Sequence, residues 1–404
     1  MRRQIDGKLL EGLSDELNKA TEKQWQTYQC TLVTPMYGGG VEASKVDTNM
    51  PIRASSIRGQ LRFWWRIACG PKDPNELFKK EKEIWGGIGD DGAMASQVEI
   101  RVQSQPVFDK DFIKSNKYYD GIKYIFGSSS INGAVDWLKD NYKFTLFIRY
   151  NDAVKRDVEE ALRWWCSFGG IGGRTRRGFG AVSIENVDLI TAEHPALKRK
   201  DIEIPRLKFS QKTFSSAQEA WKYAAERLFE FRQKPGSGRN NSSGKAGRSF
   251  WPEADQLRHL TGKNDNKRHM PEFEKNLIFP RAAFGMPIKF QFPGKNNDPD
   301  DMTLQPIDSE RMASPLIIRP YKDGEKWRAA ALLLPHWEKA LVEPLELRLS
   351  SNNKKVTYQV NHWPDENQQA ERDRLTNDIK GIKPMKGRPN DPLSAFLDYF
   401  EKGQ

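Results

Sequence analysis

An α+β fold in two domains is what this sequence predicts, and three observations carry the prediction. At 404 residues the chain is longer than one compact core commonly serves. Over residues 25–200, stretches with period-two apolar alternation and stretches at helical spacing follow one another as strand, helix, strand, strand, helix, strand. Past Pro205 a second series of strand-like and helix-like segments begins, interrupted by KPGSGRNNSSGKAGRS, a Gly/Ser/Asn/basic stretch that reads as an exposed loop. The expected division is an N-terminal extension (1–24), a first domain (25–200) and a second, more decorated domain (201–404) carrying a flexible basic insertion at about 234–272.

Each element of the first domain has its own warrant. WQTYQCTLVT (25–34) is rich in β-formers and runs into Pro35 and the turn Gly38-Gly39-Gly40. SSIRGQLRFWWRIAC is a helix for which Ser55 or Ser56 is the expected N-cap. QVEIRVQ (97–103) and YKFTLFIRY (142–150) alternate apolar and polar residues. A second helix follows from Asp152, with Val154, Val158, Ala161, Trp165 and Phe168 on one face, and FGAVSIENVDLI is the closing strand. This order is that of a ferredoxin-like split βαβ unit. In the second domain RLKFS, GMPIKFQF, SPLIIRPY and WRAAALLL read as strands, LELRL and VTYQV as a hairpin, and SAQEAWKYAAERLFEFRQ and the Asp391-capped DPLSAFLDYFEK as helices.

Charge narrows the function. Sixty-five Lys and Arg against 54 Asp and Glu give a net charge of +11, which favours an anionic partner; the alternative is a basic but inert surface. Three scattered cysteines, Cys30, Cys69 and Cys166, and five histidines without ligand spacing support neither a disulfide framework nor a metal site. No apolar run of about 18 residues suggests a membrane span, and MRRQIDGKLLEGLSDELNKA lacks a signal core, so a cytoplasmic location is expected.

Two basic features stand out. On the first helix Ile57, Leu61, Trp64 and Ala68 share one stripe, while Arg58, Arg62 and Arg66 follow at i, i+4 and i+8 on another, with Arg53 just before the helix. The ladder has no carboxylate of its own, so it reads either as a solvated face or as an RNA-facing one. The second feature is Gly169–Gly180, GGIGGRTRRGFG, where Gly169, Gly170, Gly172, Gly173, Gly178 and Gly180 surround Arg174, Thr175, Arg176 and Arg177. Glycine permits close approach of another chain and arginine supplies phosphate-matching donors, so the stretch reads as a loop that clasps a polyanion. Its glycines follow a helix and open a strand, the reverse of a dinucleotide fingerprint, and no small-molecule cofactor is expected. The echoing pairs Trp64-Trp65 and Trp164-Trp165 read as core, not as base-stacking platforms.

TPMYGGG, PIRASSIRGQLRFWWR, GGIGGRTRRGFG, FPRAAFGMPIKF and ASPLIIRP together resemble, over about residues 25–335, the first-subunit family of the Cmr module, the type III-B CRISPR effector, within the RAMP superfamily. The resemblance implies two ferredoxin-like, RRM-related domains with long loop insertions. It also implies partners: a guide RNA bound near its 3′ end, the target RNA paired with it, and other RAMP subunits, in antiviral defence. By the same resemblance Arg53, Ser55, Ser56, Arg58 and Arg62 match the RNA-facing opening of the first helix, and the glycines match the family's glycine-rich loop. Related RAMP subunits cut RNA with an aspartate between the first strand and helix, where this chain has Asp47. A lone Asp in a polar loop is also a common turn former, and no histidine precedes His194 to act as a general base. The expectation is therefore a noncatalytic RNA-binding and assembly subunit; the alternatives are a metal-dependent ribonuclease using Asp47, or a basic scaffold for protein partners.

Overall fold

The structure, a computed structural model, describes residues 25–402 apart from 43, 90–91, 115–119, 128–134, 198–204, 241–246, 264–269, 293–296, 342, 350–356 and 366. The expected N-terminal extension and parts of the basic insertion lie outside the described residues. The chain divides into two compact units. The first holds the described residues up to Lys114, Asp136–Thr175 and Phe179–Ile190; the second holds 115–135, Arg176–Gly178 and the chain from Thr191 onward. Against the single boundary expected at residue 200, the second unit thus takes two pieces from within the first stretch.

In chain order the first half runs β1 (Gln26–Leu32), α1 (Ala54–Ala68), α2 (Pro74–Trp85), a small hairpin of β2 (Gly87–Gly89) and β3 (Gly92–Met94), β4 (Val98–Ser104) and β5 (Phe112–Lys114). It continues with α3 (Asp120–Phe126), which belongs to the second unit, then β6 (Asp136–Leu138), β7 (Lys143–Tyr150), α4 (Lys155–Phe168) and β8 (Val182–Ile184). The main sheet of the first unit is antiparallel in the order β4-β7-β1-β8. Counting only those four strands along the chain, this is 2-3-1-4, the ferredoxin-like arrangement. Register follows from the alternation: Cys30 pairs with Phe144 on one side and Ile184 on the other, all three buried. That face carries Leu32, Leu146, Ile148, Val98 and Val182, all buried. Each such side chain contributes about 1.5–3 kcal/mol on burial.

α1 and α4 pack against each other, and the echoing tryptophans are the reason. Trp64 and Trp164 stack with ring centroids 6.1 Å apart and planes at 24°. All four tryptophans are 0–1% exposed, so both pairs are core. Buried indoles need partners for their N–H groups: Trp65 donates to Asp157 (2.6 Å), Trp164 to Glu160 (2.9 Å) and Trp165 to the Gly170 carbonyl (3.3 Å). The N-cap of α1 lies two residues before the earlier of the two expected caps. Arg53 occupies the N-cap with extended backbone, so Ser55 and Ser56 lie inside the first turn and neither is the cap.

The second unit continues with β9 (Arg206–Phe214), α5 (Ala217–Arg232), α6 (Glu253–Thr261), β10 (Ile288–Phe290), β11 (Met302–Pro306), β12 (Leu316–Asp323), β13 (Lys326–Leu333), β14 (Leu345–Leu349), β15 (Thr357–Val360), α7 (Gln369–Asn377) and α8 (Pro392–Lys402). It has two sheets, β12-β13-β9 and β10-β11-β14-β15, both antiparallel. The three-stranded sheet repeats the 2-3-1 part of the ferredoxin-like order, with α5 and α8 against it. Asp391 caps α8 as expected, accepting from the amides of Leu393 (3.1 Å) and Ser394 (2.8 Å). Among the described residues no helix is long and apolar enough to cross a membrane.

Candidate nucleic-acid interface

The glycine-rich stretch is bare because the chain packs against itself. The Gly173 amide donates to the Tyr37 carbonyl (2.6 Å), Ile171 to Gly180 (2.9 Å), Gly180 to Pro35 (2.8 Å) and Ala181 to the Thr34 hydroxyl (2.9 Å). Residues 34–37, which follow β1, are therefore stitched to both arms of the loop. Gly172 and Gly180 have left-handed φ of +84° and +60°, and a β-carbon would lie 2.6 Å from the Tyr37 oxygen at the first and 2.0 Å from the Ile171 oxygen at the second. Gly169 and Gly170 are bare for space alone: a β-carbon would stand 2.3 Å from the Trp165 ring or 2.8 Å from the Gly180 oxygen. Gly173 lies against Tyr37, and Gly178, in the second unit, against Trp221. The sides of these glycines where a side chain would stand are occupied by this chain's own backbone and aromatic rings, so their bareness serves the chain's own packing.

The three loop arginines separate. Arg174, in the first unit, is exposed and is held at φ +59°, a region a non-glycine residue enters at a cost of about 1–2 kcal/mol. Arg176 and Arg177 form a 3-10 turn with Thr175, are half-buried, and point their guanidinium groups at carbonyls of the second unit. Arg176 donates to the Ser314 carbonyl; Arg177 donates to Leu316 (3.2 Å) and Phe284 (2.7 Å), while its own carbonyl accepts from the Trp221 indole (2.9 Å). A single clasp of three equivalent cations is thus not what the geometry shows. The sequence gives no sign of these carbonyl partners, which lie more than 100 residues away.

The ladder arginines are engaged within the chain. Arg62 Nε and Arg66 Nη1 both donate to Oε1 of Glu81 on α2, at 2.7 and 2.6 Å, and the Glu81 side chain is 9% exposed. Arg58 donates to the carbonyls of Trp85 and Val98. The carboxylate that pairs with this face comes from α2, a helix announced in the sequence by Asp73-Pro74: the Asp73 side chain accepts from the amides of Asn75 (3.0 Å) and Glu76 (2.9 Å), with proline at the first helical position. Replacing Glu81 with Gln is accordingly expected to cost about 1–3 kcal/mol, the lower part of the range for a broken buried pair because both arginines are over a third exposed. A thermal melt of the full chain checks it, and an unchanged melting temperature removes the pairing from the stability account.

The start of α1 is open to a ligand. Its first turn carries no acidic residue and receives no side-chain cap, Ser55 is exposed, and Nη2 of Arg53 is buried with no hydrogen-bond partner among the described residues. Leading amides of a helix carry partial positive charge, so this end, with Arg53 beside it, attracts anions. Asp47, in the loop before it, accepts through Oδ1 from the amides of Asn49 and Met50, both at 3.0 Å, and these bonds hold its carboxyl below the usual carboxylate range. That is the geometry of a turn former. Among the described residues no group of three or more His, Cys, Asp or Glu side chains is placed to hold a metal ion.

The first unit thus combines a 2-3-1-4 antiparallel sheet, two helices on one face, and a glycine-rich return stitched to the exit of the first strand. Residues 29–183 match the family model of the RAMP superfamily. The matched segment runs from within β1 to within β8 and so takes in most of the sheet, α1, α4 and the glycine loop. Among solved structures the chain is similar to Cmr1 from Pyrococcus furiosus in its apo form, at 15% identity and a TM-score of 0.44, covering 93% of this chain and 95% of that one. It is also similar, at 12% identity and a TM-score of 0.34, to a chain of a type III-B Cmr-beta complex bound to cognate target RNA and AMPPnP in the presence of ssDNA, covering 79% of this chain and 97% of that one. No protein of curated function matches the chain.

Proposed function

We propose that this chain is a noncatalytic RNA-binding and assembly subunit of a type III-B CRISPR ribonucleoprotein, contacting the guide RNA near its 3′ end and the target RNA paired with it, in the cytoplasm. The observation that carries the RNA-binding part is the start of α1: an uncapped, acid-free first turn with Arg53 at the N-cap, within the RAMP segment. The exposed Arg174 and a net charge of +11 add to it. The narrower placement in the Cmr module is supported by the sequence blocks from TPMYGGG to ASPLIIRP. The ribonuclease alternative loses support from Asp47, whose carboxylate serves its own turn.

The test is to purify the full chain, titrate labelled single-stranded RNA at several salt concentrations, and incubate the same RNA with protein and magnesium. The expected result is binding that weakens steeply with salt, by about 0.7 in log–log slope per neutralised phosphate, with the RNA left intact. Magnesium-dependent cutting that Asp47→Ala abolishes would overturn the noncatalytic reading, and the absence of salt-dependent binding would overturn the RNA-binding one.

A further inference from the structure

In the second unit three arginines converge with too little negative charge around them. Arg232 ends α5, Arg239 sits in the turn that follows, and Arg281 lies in the 3-10 turn Pro280–Phe284. Their charges act on one another: Arg281 disfavours the charged form of both Arg232 and Arg239, while Tyr124 on α3 favours it in both. The Arg232 guanidinium lies 4.9 Å from the Phe284 ring centroid and 5.8 Å from that of Tyr124.

One carboxylate serves the trio. Glu253, fully buried at the start of α6, accepts the Arg281 amide (2.8 Å) and stands 3.0 Å from Arg281 Nε. That approach is not aligned as a hydrogen bond, and both Arg281 Nε and Glu253 Oε2 are buried without a hydrogen-bond partner. Nε of Arg232 and of Arg239 are likewise buried without hydrogen-bond partners; the Arg232 side chain bonds the neutral Tyr124 hydroxyl, and neither arginine has an ion pair among the described residues. Three cations against one anion leave a surplus of two positive charges. Burial holds both Arg232 and Arg239 below the ordinary guanidinium range. Buried guanidinium nitrogens that lack acceptors call for an absent ligand, because an uncompensated buried charge costs several kcal/mol. The ligand chemistry follows from the surplus: phosphoryl oxygens bearing about two negative charges, from one phosphomonoester or two adjacent backbone phosphodiesters, which planar guanidinium forks recognise better than any other side chain does.

We propose that Arg232, Arg239 and Arg281 form a binding site for a phosphoryl group in the second unit. It is independent of the RNA contacts assigned to α1 and Arg174. Its phosphate comes either from a nucleic-acid backbone or from a free phosphorylated small molecule.

The experiment uses the full chain and inorganic phosphate, titrated by calorimetry against a chloride background at constant ionic strength. The parent should take up phosphate saturably, and Arg239→Met should weaken uptake by at least about tenfold, the worth of one charged hydrogen bond. In phosphate-free buffer the same variant should melt no earlier than the parent, because it removes an uncompensated charge. Adding a short single-stranded RNA or a 5′-mononucleotide to the phosphate-loaded protein identifies the source: displacement by RNA alone assigns backbone phosphates, and displacement by the mononucleotide assigns a free phosphorylated compound. No saturable uptake by the parent, or equal uptake by parent and variant, overturns the proposal. So does an Arg239→Met protein that melts early in phosphate-free buffer, since the guanidinium is then structural. Phosphate uptake is read without RNA, so a chain that fails to bind RNA leaves this result standing.

Discussion

Gly180→Ala should destabilise the first unit by about 3–5 kcal/mol, the largest effect expected of any single methyl group added to this protein. Two costs add. The residue sits at φ +60°, where a β-carbon is disfavoured by about 1–2 kcal/mol. That carbon would also lie 2.0 Å from the Ile171 oxygen, so the backbone must move. It cannot move cheaply, because Gly180 donates to Pro35 and accepts from Ile171, and Ala181 donates to Thr34. Chemical denaturation of the full chain, followed by tryptophan fluorescence, measures the loss; Gly236→Ala, at another left-handed position but with open space around it, is the comparison. Equal effects of the two substitutions would mean that the loop owes its glycines to backbone dihedral alone and not to close packing.

A second large effect depends on pH. Burial, with Arg372 nearby, pushes the His362 imidazole down to about 4. An unfolded chain protonates this group near 6.5. Above that value both states are neutral and the histidine makes no difference to stability. As pH falls from about 6.5 towards 4 the unfolded chain takes up a proton that the folded one does not, so stability drops, by up to about 3 kcal/mol in all, and then levels off. Melting temperatures measured from pH 7.5 to 4 should therefore decline more steeply for the parent than for His362→Gln. Parallel curves would show that the imidazole protonates as readily in the folded protein as in the unfolded one.

The fold was legible where one local signal sufficed. Alternation in QVEIRVQ and YKFTLFIRY, helical spacing in LRFWW and LRWWC, and the order of these elements led to the four-stranded sheet, because a buried sheet face and two covering helices leave a direct imprint on composition. The candidate site was less legible, since its chemistry depends on partners distant in sequence. Arg62 and Arg66 looked unpaired until α2 brought Glu81 over them, and Arg176 and Arg177 looked like phosphate donors until Ser314, Leu316 and Phe284 presented carbonyls. The glycines announced a close approach correctly but not its partner, which is the segment Thr34–Tyr37. Asp73-Pro74 did announce α2, and reading it as a helix start would have warned that a second helix was available to cover the ladder.

If the start of α1 and Arg174 contact RNA while the ladder is structural, the most direct measurement sets these two groups side by side. RNA affinity is measured against salt for the parent, for Arg53→Gln with Arg174→Gln, and for Arg62→Gln with Arg66→Gln, each accompanied by a thermal melt. The first pair should reduce the salt slope by about 1.4, two phosphate contacts at about 0.7 each, with the melting temperature nearly unchanged. The second pair should melt earlier and keep the parent's slope at a temperature where it remains folded. A first pair that binds RNA with the parent's slope, or a second pair that loses slope while staying folded, would contradict the assignment.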